Sequence, residues 1–131
     1  MHWLGHRIHE MLDRYGDDDS RVVVARRREF LDEIGALVDE ISRRDGVTAA
    51  FASYEGLLVA ASGLATDFEA LAAMAQAAMV PAFDSAGVIE LGTLRQLVLV
   101  GDHNKLALVR VGPVTLGMVA PTDVSLAAAT A

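Results

Sequence analysis

The chain predicts an α+β fold, built from one antiparallel sheet and helices placed before and between its strands. Three observations carry this. Apolar residues recur at helical spacing to about residue 45, then in strand-like runs, with one return to helical spacing at 68–83. The strand-like runs are five: 47–54, 57–62, 93–100, 105–111 and 114–120. Where no helix intervenes, they are joined only by 55–56, 101–104 and 112–113. Parallel strands need a crossover of a dozen or more residues, so these connections are antiparallel hairpins.

Taken in order, residues 2–15 read as a short amphipathic helix, with Leu4, Ile8, Met11, Leu12 and Tyr15 on one side. GDDDS at 16–20 breaks that pattern, Gly16 as a stop and Ser20 as a candidate N-cap. A stronger helix follows, its stripe made by Phe30, Leu31, Ile34, Leu37, Val38 and Ile41 and extended backwards by Val23 and Val24. Its other face offers Arg28 with Asp32, Asp39 with Arg43 and Glu40 with Arg44 as pairs four apart. Asp45-Gly46 ends it.

Glu55-Gly56 is a two-residue hairpin signal between the first two strands, and both runs are apolar enough for a sheet covered on both sides. Thr66-Asp67-Phe68-Glu69 reads as a capping box, with Thr66 capping the next helix. Pro81 is expected to bend or shorten that helix. Gly112-Pro113 turns the last hairpin and Pro121 closes the last strand, leaving 122–131 for one weak helix. Residues 1–20 form a leading helix and acidic turn, and 21–131 a single domain.

Composition narrows the function. At 131 residues and 53% hydrophobic, the chain can bury a real core. A net charge of -7 argues against nucleic-acid binding, which needs a basic surface. With no cysteine there is no disulfide, thiolate metal site or cysteine nucleophile. The longest charge-free run, Ala70 to Phe83, is shorter than the roughly 18–20 residues of a membrane span. A cytoplasmic protein with no stable membrane insertion is the expectation.

Motifs of catalysis or cofactor binding are missing: GxxxxGK[ST], GxGxxG after a strand, HExxH and GxSxG do not occur. His2, His6, His9 and Asp13 share one helical face, and histidines four apart can hold zinc; they are equally ordinary polar-face residues. Asp17, Asp18 and Asp19 lack the alternation of a calcium loop and read as a solvated turn. Arg26, Arg27 and Arg28 fit a solvated face, or a contact for an acidic partner or anionic lipid. No catalytic residue, cofactor or metal is assigned.

The helix at 68–83 is unusual. Phe68, Leu71, Met79 and Phe83, with Ala75, Ala78 and Ala82, form a bulky side suited to a sheet. Ala70, Ala73, Met74, Ala77 and Pro81 form a second stripe of mostly small residues with no charge. Alanine chosen for helix propensity would leave that stripe exposed. Burial against a second copy fits better, because contiguous apolar surface marks interfaces and small residues let helix axes approach closely.

DGVTAAFASYEGLLVAAS, ATDFEALAAMAQAAM and LGTLRQLVLVGDHNKLALVRVGPVTLGMVAP, in that order, resemble the roadblock family of dynein light chains and prokaryotic regulators of Ras-like GTPases. The likeness covers about residues 30–121. It implies a five-stranded antiparallel sheet with a long helix on one face and terminal helices on the other. It also implies dimerisation through the third strands and long helices, with Leu94, Gln96 and Val98 near the two-fold axis. The family's C-terminal helix is reduced here to 122–131, and the helix before Gly16 is additional. The implied function is a non-enzymatic homodimeric scaffold that binds and regulates a small Ras-like GTPase. The alternative is a small-molecule-sensing or adaptor module of the same build.

Overall fold

The structure is a computed structural model that describes residues 2–15, 23–64, 67–91, 94–111 and 113–125, the side chains of 2, 12–15 and 23–27 left aside. Within them lie α1 (His2–Tyr15), α2 (Val23–Ser42), β1 (Ala49–Tyr54), β2 (Leu57–Gly63), α3 (Phe68–Val88), β3 (Gln96–Val100), β4 (Asn104–Val111) and β5 (Val114–Pro121). The strands form one sheet in the order β2-β1-β5-β4-β3, antiparallel at every pairing. The last strand thus returns to the centre, between the first and the fourth. The expected turn at 16–20, the corner residue Gly112 and the tail at 126–131 lie outside the described residues; 122–125 form turns.

Strand alternation sends side chains to two helical layers. Ala50, Met118 and Ala107 align across the sheet, as do Ala52, Leu116 and Val109. They share one core with Leu4 and Met11 of α1 and Ile34, Leu37, Val38 and Ile41 of α2. Phe51 and Leu108 point to the opposite face, where they pack with Leu106 and with Ala72, Ala75 and Met79 of α3. The long helix on one face and the N-terminal helices on the other match the expected α+β architecture.

Phe51 explains a glycine in mid-strand. Gly117 lies opposite it in the register, and a Cβ there would sit 2.3 Å from carbons of the Phe51 ring. The ring occupies the space that a side chain on β5 would take. At the β1–β2 turn, Glu55 and Gly56 have φ of 51° and 82°, the left-handed pair that a two-residue hairpin requires.

Four local expectations are corrected. The cap of α3 is Asp67, not Thr66: Asp67 is extended and its Oδ1 accepts from the Ala70 N–H at 3.0 Å. Aspartate caps as well as threonine, so the helix begins one residue later; Thr66 itself lies outside the described residues. Pro81 does not stop α3, which runs on to Val88. The carbonyl that Pro81 leaves without a donor belongs to Ala77, and both residues are on the exposed side of the helix. Glu40 does not pair along its own helix but accepts from Arg7 Nη1 at 2.8 Å, while Arg44 stacks over Trp3 at 3.9 Å. The first contact ties α1 to α2, and the second ties it to the turn that follows α2. β3 is shorter than expected, beginning at Gln96.

The longer α3 spans 21 residues and by length and composition could cross a bilayer. It carries Glu69 and Asp84, and Ala72, Ala75, Met79 and Ala86 on its inner side are buried.

Two substitutions test this packing. Gly117→Ala is expected to lower unfolding stability by about 1–3 kcal/mol through overpacking against Phe51, with partial recovery in Gly117→Ala/Phe51→Leu; urea unfolding measures both. Asp67→Ala is expected to cost about 1 kcal/mol. Thr66→Ala should change the urea midpoint far less, and equal effects of the two would return the cap to Thr66.

Candidate interaction surface

Among the described residues no group of three or more histidine, aspartate and glutamate residues is placed to hold a metal ion. His6 Nε2 lies 3.0 Å from Glu10 Oε1, one turn along an exposed face of α1. The side chains of His2, Asp13, Arg26 and Arg27 lie outside the described residues, and Arg28 is exposed.

What stands out is uncovered apolar surface. Ala70, Ala73, Met74, Ala77 and Pro81 are all exposed in the single chain, Met74 to 45%, and Val80 joins them. This is the side of α3 turned away from the buried Ala72, Ala75 and Met79. The bulky side was legible except at two positions: Ala72, in neither expected stripe, is fully buried, and Phe83 is part-exposed with Arg110 over its ring.

The second half of the surface is the edge strand. Gln96 is exposed, Val98 is 45% and Val100 66% exposed, and Leu99 is uncovered on the α3 side. Leu94 packs instead into its own α3-side core. Sequence reasoning missed Leu99 and Val100, although the uncharged run LVLV at 97–100 was the available signal.

Hydrogen-bond parity decides which way this strand faces. Gly101 N–H donates to the Asn104 carbonyl and Arg110 N–H to the Arg95 carbonyl, in the same register that aligns Gln96 with Val109. In an antiparallel ladder, bonded and non-bonded pairs alternate. Arg95, Leu97, Leu99 and Gly101 therefore turn their backbone groups to β4. Gln96, Val98 and Val100 turn theirs outward, to the free edge.

The two edges of the sheet differ in protection. On β2 the register slips opposite Ala52/Ser53, leaving Val59 as an extra residue, and Gly63 takes a φ of 98°. Such a bulge twists an edge and blocks strand addition. β3 has a regular register and no charge or proline, none of the devices that blunt an edge. The α3 stripe and the β3 edge meet at a groove of about 1000 Å³, bounded by Ala70, Leu71 and Met74 on the helix and by Leu99 and Leu106 on the sheet.

The chain thus folds as an antiparallel five-stranded sheet between two helical layers, with one bare edge beside an uncharged helix face. A family model, the Roadblock/LC7 domain, matches residues 33–120, so the chain belongs to the roadblock/LC7 family. The match starts within α2 and leaves α1 outside. Among solved structures, the fold is similar to Myxococcus xanthus MglB, at TM-score 0.68 and 19% identity over 76% of this chain and 77% of that one. It is also similar to the gliding protein MglB of Thermus thermophilus, at TM-score 0.67 and 15% identity, covering 76% and 78%. A Roadblock/LC7 domain from Streptomyces avermitilis aligns at TM-score 0.60 and 24% identity, covering 70% and 79%. No curated relative matches the chain.

Backbone parity makes a sharp contrast. Leu97→Pro removes an N–H that bonds β4 and is expected to cost about 1–3 kcal/mol from the carbonyl left unpaired. Val98→Pro removes only an outward N–H and should cost less by urea unfolding at concentrations low enough to keep single chains. A larger loss for Val98→Pro would reverse the assignment of the free edge.

Proposed function

We propose that this chain is a non-enzymatic homodimeric scaffold that binds a small Ras-like GTPase in the cytoplasm and regulates its nucleotide cycle or location. The observation that carries the reading is the exposed stripe of Ala70, Ala73, Met74, Ala77 and Pro81 on α3, beside a groove that reaches Leu99 on β3, whose neighbours Gln96 and Val98 turn their backbone groups to the free edge. A second copy related by two-fold symmetry satisfies that strand edge and dries the helix face at once. Leu94 contributes by holding the start of β3 on its own core. Residues 21–131 form the domain in this reading, and 1–20 an addition that packs on it through Leu4 and Met11.

Membership in the roadblock/LC7 family supports the regulatory part, since the resemblance in the sequence extends to regulators of Ras-like GTPases. Any effect on turnover comes from reshaping the GTPase's switch loops, as no residue here is assigned a catalytic role. The charge of -7 favours a protein partner over nucleic acid.

A second reading has one observation behind it. A smaller cavity of about 300 Å³ near the far end of α3 is lined by Tyr54, Gln76, Asp84, Arg110 and Thr115 among others, a polar setting suited to a small ligand. Thermal shift with nucleotides and metabolites distinguishes a sensing module from a scaffold.

Light scattering provides the test of the scaffold. The wild type is expected at twice 13.9 kDa, and Ala77→Glu and Val98→Pro at the mass of one folded chain. Purified Ras-like GTPases from the same organism should bind the wild type, with altered GTP turnover or localisation. A monomeric wild type removes the dimer, and binding by none of those GTPases removes the partner.

A further inference from the structure

The end of α3 carries an exposed apolar knob that its own fold does not use. Val88, Ile89 and Leu91 are 82%, 64% and 67% exposed. They are nonetheless held in place. Leu91 N–H donates to the Ala86 carbonyl and Glu90 N–H to the Gly87 carbonyl, the paired bonds of a Schellman cap. Glu90 supplies the left-handed residue of that cap at φ 61°, a position that glycine fills without strain. The three apolar side chains are therefore presented to solvent in one fixed arrangement, on backbone that is itself strained.

We infer that this knob seats in the groove at the other end of α3 of a second copy. The inference rests on the dimeric reading above and adds to it a specific contact. Antiparallel pairing of two β3 edges by a two-fold axis runs the strands in opposite directions. The residues before β3 in one copy must then pass the β3–β4 turn of the other, at Gly101 to Asn104. The two-fold axis stands perpendicular to the sheet, so α3 lies on the same face in both copies. Val88, Ile89 and Leu91 descend from α3 to β3, and so arrive on the α3 face. Leu99, Gly101 and Asn104 line the groove at that end of the strand, opposite Ala70 and Met74 of the helix. The groove is predominantly apolar and matches the chemistry of the knob. Each copy offers one knob and one socket, so the contact closes twice in a dimer and leaves neither unused.

Because the chain has no cysteine, single introduced cysteines test the contact directly. Leu91→Cys and Asn104→Cys proteins, mixed and treated with a short bis-maleimide, are expected to give a species of doubled mass on a denaturing gel. Each variant alone should give none, since the two sites lie at opposite ends of β3. Val98→Cys alone reports the pairing of the strand edges. A cross-link at Val98 with none between Leu91→Cys and Asn104→Cys overturns the socket and leaves the dimer standing. A single-chain mass for the wild type overturns the dimer itself. Leu91→Asp, at a site exposed in the single chain, should weaken self-association at least tenfold by sedimentation while the urea midpoint at low concentration stays within error. An unchanged association constant would count against the knob.

Discussion

An open β-sheet has two edges, and each carries backbone groups that must be satisfied, shielded or shared. The rest of this molecule is organised around how that constraint is met. β2 takes a bulge at Val59 and a left-handed glycine at Gly63, which spoil it as a template. β3 keeps a regular register and presents the backbone of Gln96, Val98 and Val100 outward. The same strand has apolar side chains and lies beside the groove under α3. One edge is spoiled within the chain, and the other is left open.

The two helical layers make such an edge rigid enough to use. Their cores meet the sheet from opposite sides, and β1, β5 and the middle of β4 are buried. Small residues in the strands, among them Ala50, Ala52 and Ala107, let the α1–α2 layer approach, while Gly117 makes room for Phe51 on the α3 side. Interior packing of this density tolerates little change in volume, so the position of the edge is set by the whole sheet. The ion pair from Arg7 to Glu40 and the stacking of Arg44 on Trp3 join α1 to this frame. The ion pair is part-buried and of modest worth, and the burial of Leu4 and Met11 holds α1 more firmly.

Much of this was legible in the residues. The change from helical to strand spacing located every element of the sheet, and hairpin-length connectors made the pairing antiparallel. The uncharged stripe from Ala70 to Pro81 follows from helical spacing and lies exposed on α3. Local alternatives were less legible. Thr66 and Asp67 are both good caps, and only the extended backbone at Asp67 distinguishes them. Glu40 had a partner four residues on, yet Arg7 reaches it from a helix far away in sequence. Leu94 looked like part of the strand edge and packs inward, because β3 begins two residues later.

The sequence by itself determined the class of fold, the hairpins and the face of α3 that lacks charge, since periodicity and turn chemistry act over a few neighbouring residues. Tertiary structure alone decided that β5 lies between β1 and β4, that β3 is an edge, and which of its residues turn their backbone groups outward. Those depend on pairing between segments distant in the chain. The parity of a ladder cannot be read from one strand, because a shift of register by one residue exchanges what faces inward for what faces out.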